Sequence, residues 1–351
     1  MTTVSGYYGK RFRDELEAAV AEAYADELGA TEVTPRDGFG ALGGHATAAS
    51  RVADRVRRVT GAPVTARSVV EHDTVERVAA HLRSLAPVDS CVQLPAGAVP
   101  GAVNLFYFHS ASGNAFAIRT LRKHLPVQLA GVRAAGLHGE RDVPRTIDEF
   151  ATIYLEQVLR VQPDGPYLLC GFSTGGTIAF EIACRLRRSG ARVGLLAMFD
   201  SQPPDPAVLS RLGSEEDLKR GRLRELLRRV GDTSDAEVSP GDAGVVEALR
   251  RSHALAEEMD AETLERQLLV FARTLRADCL YEPGHYDGEV HYFAADTPVE
   301  LVPAWRPHVG ALHLHDIDAE HYEYAIFADQ GFRTTFAALV DEALAGRTDA
   351  G

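Results

Sequence analysis

Cysteine is scarce. Four residues, Cys91, Cys170, Cys184 and Cys279, are spread over 351 positions without a C-x-x-C pair. That spacing excludes a disulfide framework and a zinc knuckle and fits a reducing compartment, and no metal is expected. No apolar run approaches the roughly 18 residues of a membrane-spanning helix. The opening MTTVSGYYGKRFRDELEAAV lacks the charged-then-apolar layout of a signal peptide, so the expectation is a cytoplasmic protein. Positive charge is in deficit, with 37 Lys and Arg against 50 Asp and Glu. An acidic chain of this kind offers no electrostatic footprint for nucleic acid or an anionic membrane, and neither is expected as a partner. Internal repeats and low-complexity tracts are also missing. The remaining composition is that of an ordinary folded chain, and the length fits two domains of about 150 residues each.

Helical spacing dominates the first 86 residues. Leu16, Val20, Tyr24 and Leu28 recur at i+4 steps, the stripe of an amphipathic helix closed by Gly29. Val52, Val56 and Val59 mark a second helix stopped by Gly61 and Pro63, and a third spans roughly Thr74 to Leu85. A bundle of this size can fold alone. The stretch APVDSCVQLPAGAVPGA, with prolines at 87, 95 and 100, reads as a linker over 87–101.

From Asn104 the pattern changes to short apolar runs alternating with helices. Leu105–Phe108, Val127–Val132, Tyr167–Cys170, Val193–Phe199 and Val290–Phe293 are strand candidates, and ALHLHDI reads as a further strand. Continuous apolar runs belong to strands buried on both faces, so an α/β fold with a mainly parallel sheet is expected. Between Asp200 and Val290 the strands stop, and RLRELLRRV, VVEALRRSHALAEEM and TLERQLLVFARTL read as helices. This insertion, about 202–285, is expected to form a lid over the C-terminal edge of the sheet, where open α/β sheets bind ligands.

The chemistry-bearing motif is Gly171-Phe172-Ser173-Thr174-Gly175-Gly176, set between the strand YLLC and the helix TIAFEIACRLRRSG. Glycines two before and two after the serine permit a turn too tight for a Cβ, which lifts Ser173 Oγ above the sheet as a nucleophile. A serine hydroxyl needs a base, and the partners of such an elbow follow in the order acid, then histidine. His321, in DIDAEHYEYAIF before the final helix, is the best-placed base; His308, His313 and His315 are rivals. Asp200 and Asp296 each end a strand, and both remain open as the acid. Two backbone amides are needed for the oxyanion, and Thr174 and Ala111 are the candidates. His109, at a strand end, is expected to shape its turn.

A second motif lies in the helical region: Asp37-Gly38-Phe39-Gly40-Ala41-Leu42-Gly43-Gly44-His45-Ala46-Thr47. The Gly-Gly turn delivers the chain into a helix at Ala46, where free amides and the helix dipole suit an anion. From these residues alone an ordinary helix-entry turn serves as well.

Residues 37–47 resemble the carrier signature of nonribosomal peptide synthetases, in which a serine in a GGHS context receives 4′-phosphopantetheine. The segment QPDGPYLLCGFSTGGTIAFEIACRLRRSGARVGLLAMFDS is similar to the terminal thioesterase domains of those assembly lines, and HSASGNAF resembles their oxyanion loop. The resemblance implies a helical carrier bundle (1–86) joined by the 87–101 linker to an α/β-hydrolase domain (102–351) with an inserted helical lid. It selects Asp200 over Asp296 as the acid, with Ser173 and His321 at matching positions. It implies release of a peptidyl chain by thioester transfer to Ser173, ending in hydrolysis or macrocyclisation, with upstream synthetase modules as partners. An editing thioesterase, another serine esterase, and a decayed docking module without catalysis are the alternatives.

One departure matters. Position 46, the family's modifiable serine, is alanine, so no phosphodiester can form there and phosphopantetheine is expected to be absent. Thr47 lies about 100° round the helix and is a poor substitute. The change is either an engineered substitution or a natural loss, and the intact remainder of the motif points to the former. Restoring serine is expected to make the chain a substrate for a phosphopantetheinyl transferase.

Overall fold

The structure, a computed structural model, describes residues 12, 15–60, 64–85, 90–95, 98–99, 101–231, 238–251, 260–297 and 301–346. It divides into two compact units, 1–100 with 223–264 and 101–222 with 265–351. The helix-stopping Gly61 and Pro63, parts of the 87–101 linker, and the second half of VVEALRRSHALAEEM lie outside the described residues.

In the first unit, α1 (Glu15–Leu28), α2 (Ala46–Thr60) and α4 (Val75–Leu85) fall where the apolar stripes place them. Val20, Tyr24, Val52, Val56, Val69, Val78 and Leu82 turn inward to form one core. A further helix, α3 (Ala66–His72), carries no such stripe; a capping box defines its start. Thr65 accepts from the Ser68 amide at 3.0 Å while Ser68 Oγ accepts from the Thr65 amide. Two residues of the stretch read as linker form a short strand, β1 (Val92–Gln93).

The second unit is built on six parallel strands: β2 (Asn104–Phe108), β3 (Gln128–Val132), β4 (Tyr167–Phe172), β5 (Val193–Phe199), β6 (Tyr286–Ala294) and β7 (Val309–Asp316). They lie in the order β3-β2-β4-β5-β6-β7. Both faces are covered, which is why the central strands read as unbroken apolar runs. Leu105, Tyr107, Cys170, Ala197 and Phe199 point to one face and pack with Phe332, Phe336 and Val340 of α12 (Gln330–Ala345). Phe199 is the hub, with the rings of Phe293, Phe327, Phe332 and Phe336 edge-on at 5.1–5.7 Å. Edge-on pairs contribute about 0.5–1.5 kcal/mol each beyond area burial. On the opposite face Phe108 meets Tyr154 of α5 (Ile147–Val161), and α6 (Thr174–Arg188) follows β4.

The chain runs from β2 outward to β3, then returns to place β4 on the other side of β2. The strand order therefore reverses between β2 and β4, and a crevice opens at their carboxyl ends. Register pairs Phe108 with Gly171, so both strands end level at that crevice.

Between β5 and β6 the described residues contain helices α7 (Pro206–Leu212), α8 (Glu215–Arg229), α9 (Ala243–Arg251) and α10 (Ala261–Cys279) and no strand. Within the second unit, α8 is fastened to α10. Lys219 pairs with Glu265, Arg273 with Glu215 at 3.2 Å, and Arg222 lies 5.0 Å over the Phe271 ring. No described helix is long and apolar enough to cross a membrane.

Candidate active site

Ser173 closes β4 and opens α6 with φ 53° and ψ −126°. A side chain rarely adopts that backbone, which costs about 1–3 kcal/mol and persists only where neighbours enforce it. Here the Ser173 amide donates to the Phe199 carbonyl at 2.8 Å, and the Ser173 carbonyl accepts from the Gly176 amide at 3.0 Å. The flanking glycines are obligatory by close approach. A Cβ on Gly171 would overlap the Gly175 backbone, and one on Gly175 would overlap the Phe108 carbonyl and stand 2.8 Å from that of His109. The Ser173 hydroxyl makes no capping bond to α6. A serine retained as a helix cap would make one.

Asp200, immediately after β5, is also held at positive φ (47°) and is fully buried. Its carboxylate accepts from the amides of Ala295 and Thr297 at 3.0 Å and of Asp296 at 3.3 Å. His321 Nδ1 donates to Oδ2 at 2.5 Å. Burial pushes this carboxyl up, but the bonds from His321, Thr297 and Ala295 outweigh it and hold the pKa at about 2. The carboxylate is therefore ionised throughout the neutral range. It fixes the His321 tautomer with the proton on Nδ1, which leaves Nε2 as the acceptor. The imidazole is 37% exposed, enough to be reached from outside. Its ring sits 4.6 Å from that of Phe172, the residue preceding Ser173.

The rival histidines are engaged elsewhere. His308 Nδ1 meets the Gly284 carbonyl at 3.1 Å, His315 meets His291 at 3.1 Å, and His313 lies 3.5 Å from Glu289. His109 is fully buried between Tyr154 OH (2.6 Å) and the Ser110 carbonyl (2.7 Å). Burial lowers its pKa to about 4, so it stays neutral and braces its turn.

Thr174 is the first residue of α6, and Ala111 lies in the turn after β2. Both are buried, and the level strand ends bring their two loops out of the sheet side by side. The β2 turn is tied internally by the Gly113 amide to the Ser110 carbonyl at 2.9 Å, and onward by the Ala134 amide to the Gly113 carbonyl at 2.8 Å. The sequence reading missed the amides of Ala295 and Thr297. The one signal for them was the turn sequence Ala295-Asp296-Thr297 directly after β6, which ends at Ala294.

In the first unit, Ala46 is the first residue of α2 and is exposed. The preceding loop is fastened to Asp73, which accepts from the amides of Phe39 and Gly40 at 2.9 Å and, through its carbonyl, from Tyr24 OH at 2.7 Å. His45 Nδ1 accepts from the Ala48 amide at 3.4 Å. The side chain at position 46 is a methyl group, which offers no oxygen to a covalently attached phosphopantetheine, so this residue does not fit that group. No group of His, Cys, Asp and Glu suited to a metal ion occurs among the described residues.

Residues 103–335 match the family model described as thioesterase domain, and residues 18–82 match that of the phosphopantetheine attachment site. Malpibaldin synthetase of Mortierella alpina is 31% identical over 321 residues, covering 88% of this chain and 5% of that protein. A dimodular nonribosomal peptide synthase of Bacillus subtilis (strain 168) is 27% identical over 327 residues, 89% of this chain and 14% of that one. The solved structure of a four-domain holo nonribosomal peptide synthetase bound to AMP and glycine superposes with a TM-score of 0.70 over 96% of this chain and 26% of its own. At 23% identity that is a likeness of fold. The chain thus spans a small part of the length of the relatives it matches. With the thioesterase model matched over most of its residues and an attachment-site region ahead of it, the chain belongs to the thioesterase domain family.

Proposed function

We propose that this chain releases a peptidyl group from a nonribosomal peptide synthetase, with Ser173, His321 and Asp200 as the catalytic residues. The observation that carries the reading is the 2.5 Å bond from His321 Nδ1 to the buried Asp200 carboxylate. It leaves an imidazole nitrogen ready to take a proton, on a ring 4.6 Å from that of Phe172, the residue before a strained serine that caps nothing.

The substrate is an acyl thioester. His321 Nε2 takes the Ser173 proton as Oγ bonds to the thioester carbon, and negative charge moves to the carbonyl oxygen. The amides of Ala111 and Thr174 stabilise that charge, each contributing about 3 kcal/mol. The C–S bond breaks, the imidazolium returns its proton to the leaving sulfur, and an acyl ester on Ser173 remains. Water, or a nucleophile within the peptide, then attacks the ester by the same proton relay. The first outcome is a free acid and the second a macrocycle.

Residues 1–86 are read as a carrier, 87–101 as the linker and 102–351 as the thioesterase, with the lid at about 202–285. Upstream modules deliver the substrate, and the setting is cytoplasmic. Ala46 leaves the carrier without an attachment point, so phosphopantetheine is absent from this chain. A decayed docking module would have no reason to retain a fourfold-bonded Asp200 and an oriented His321.

A fluorophosphonate probe tests the reading. One adduct on Ser173, lost in Ser173→Ala, together with turnover of peptidyl thioester mimics is the expected result. An intact protein that takes no label would overturn it.

A further inference from the structure

We propose that Glu323 is a positioning residue for acyl transfer, its carboxyl clasping Tyr107 so that the end of β2, where the Ala111 loop begins, and the His321 turn are held as one piece. The inference rests on the acyl-transfer reading above and concerns a residue outside the serine, histidine and acid.

Glu323 opens α11 (Glu323–Ala328), two residues after His321. An acid in a helix's first turn ordinarily faces its own free amides. This one is directed into the second unit instead. Tyr107 OH donates to Glu323 Oε1 at 2.9 Å across a sequence separation of 216 residues. The Ser110 hydroxyl, just past the end of the same strand, lowers the carboxyl's pKa as well. Tyr107 is fully buried on β2, wedged by Phe327 at 5.8 Å, so its phenol is a fixed post. Beyond β2 a hydroxyl chain runs from Ser110 Oγ to Ser112 Oγ at 3.1 Å, which accepts from the Asn114 amide at 3.4 Å. Ala111 lies inside that chain. One carboxyl thus ties the strand that leads into the oxyanion turn to the base of the histidine turn.

The clasp contains no Lys or Arg. The titratable groups facing Glu323 are Tyr107 of β2 and His321 of the preceding turn, and those facing Tyr107 in turn are Cys170 of β4 and Tyr324 of α11. Burial raises the carboxyl to about 7, against the lowering effect of the Tyr107 bond and of Ser110 and His321 nearby. Below neutrality it is a neutral acid that can donate as well as accept. Above it, a second negative charge stands near His321, and the bond from Tyr107 becomes charge-assisted.

The test uses the full chain as wild type, Glu323→Ala, Glu323→Gln and Tyr107→Phe. Hydrogen exchange of residues 109–116 and 317–322 reads the clasp, and fluorophosphonate inactivation is resolved into a binding constant and a maximal rate. In E323A, exchange in both segments should rise tenfold or more. The maximal rate should fall tenfold or more, with the binding constant within twofold. E323Q, which can still accept and donate, should restore protection to within threefold. It should match wild type below pH 7 and diverge above it, a signature that a merely structural side chain would not produce. If E323A does not fold, E323Q and Y107F carry the same comparison. Exchange and rate within twofold of wild type in E323A, or in Y107F, overturn the proposal while labelled Ser173 leaves the acyl-transfer reading standing. A wild type without label overturns that reading, and the exchange data still decide the clasp.

Discussion

The backbone amide of Asp296 donates to the carboxylate of Asp200 at 3.3 Å. The two aspartates that compete as the acid when only the sequence is read therefore belong to one device, Asp200 as the charge and Asp296 as part of the amide collar around it. Asp200→Asn should lower kcat for a thioester mimic by about 10⁴, because the amide misassigns the His321 tautomer. Asp296→Ala keeps its amide and should stay within about threefold. Steady-state kinetics on the two variants checks the division; comparable losses would reverse it.

The same collar makes a pH prediction for stability. Asp200 is held at about 2 in the folded chain against 3.8 as its ordinary value. A depressed carboxylate stabilises the fold fully above its unfolded pKa, and that contribution is lost as pH falls through the folded one. Wild type should lose about 2 kcal/mol between pH 4 and pH 2 from this group. Urea unfolding of wild type and Asp200→Asn across that window reads the difference, and parallel pH profiles would remove Asp200 as its source.

How much of this was legible in the residues varies by cause. The elbow was legible because its constraint is local: Gly171, Ser173 and Gly175 sit within one turn, and the overlaps that demand glycine occur inside it or against the adjoining strand. The first four residues of β6 were not. Tyr286–Glu289 contains polar and glycine positions, lies beyond the stretch that β5 pairs, and meets β7 across a register shift. An exposed strand end of that kind leaves no apolar run to read. Helix α3 was missed because Thr65 and Ser68 define it by reciprocal bonds rather than a stripe. The choice of acid depended on where three amides converge, which no spacing encodes.

Glycine 175 supplies a steric prediction. Gly175→Ala places a Cβ against two backbone carbonyls, of Phe108 and His109, neither able to move without breaking the β2–β4 crevice. The variant should lose about 3 kcal/mol or more. Gly221, whose substituent would meet nothing within 4 Å, is the control, and Gly221→Ala should be neutral or slightly stabilising. Equal unfolding midpoints for the two would show that the turn relaxes.

At the start of α2 the prediction concerns one oxygen atom. The loop entering the helix is tethered to Asp73 through the amides of Phe39 and Gly40, and His45, just before the helix, accepts from the Ala48 amide of its first turn, so the surroundings of position 46 stand ready. Ala46 supplies no nucleophile. With a phosphopantetheinyl transferase and coenzyme A, the chain should keep its mass, and Ala46→Ser should gain one phosphopantetheine arm. Combining Ala46→Ser with Asp73→Ala removes the side-chain half of the tether and should slow that gain several-fold without abolishing it, since the Asp73 carbonyl still receives Phe39 and Tyr24. Intact-mass measurement distinguishes the cases. A mass gain by the Ala46 chain would mean that another hydroxyl, such as that of Thr47, takes the arm, and loading of Ala46→Ser unchanged by Asp73→Ala would mean that the loop holds its shape without the carboxylate.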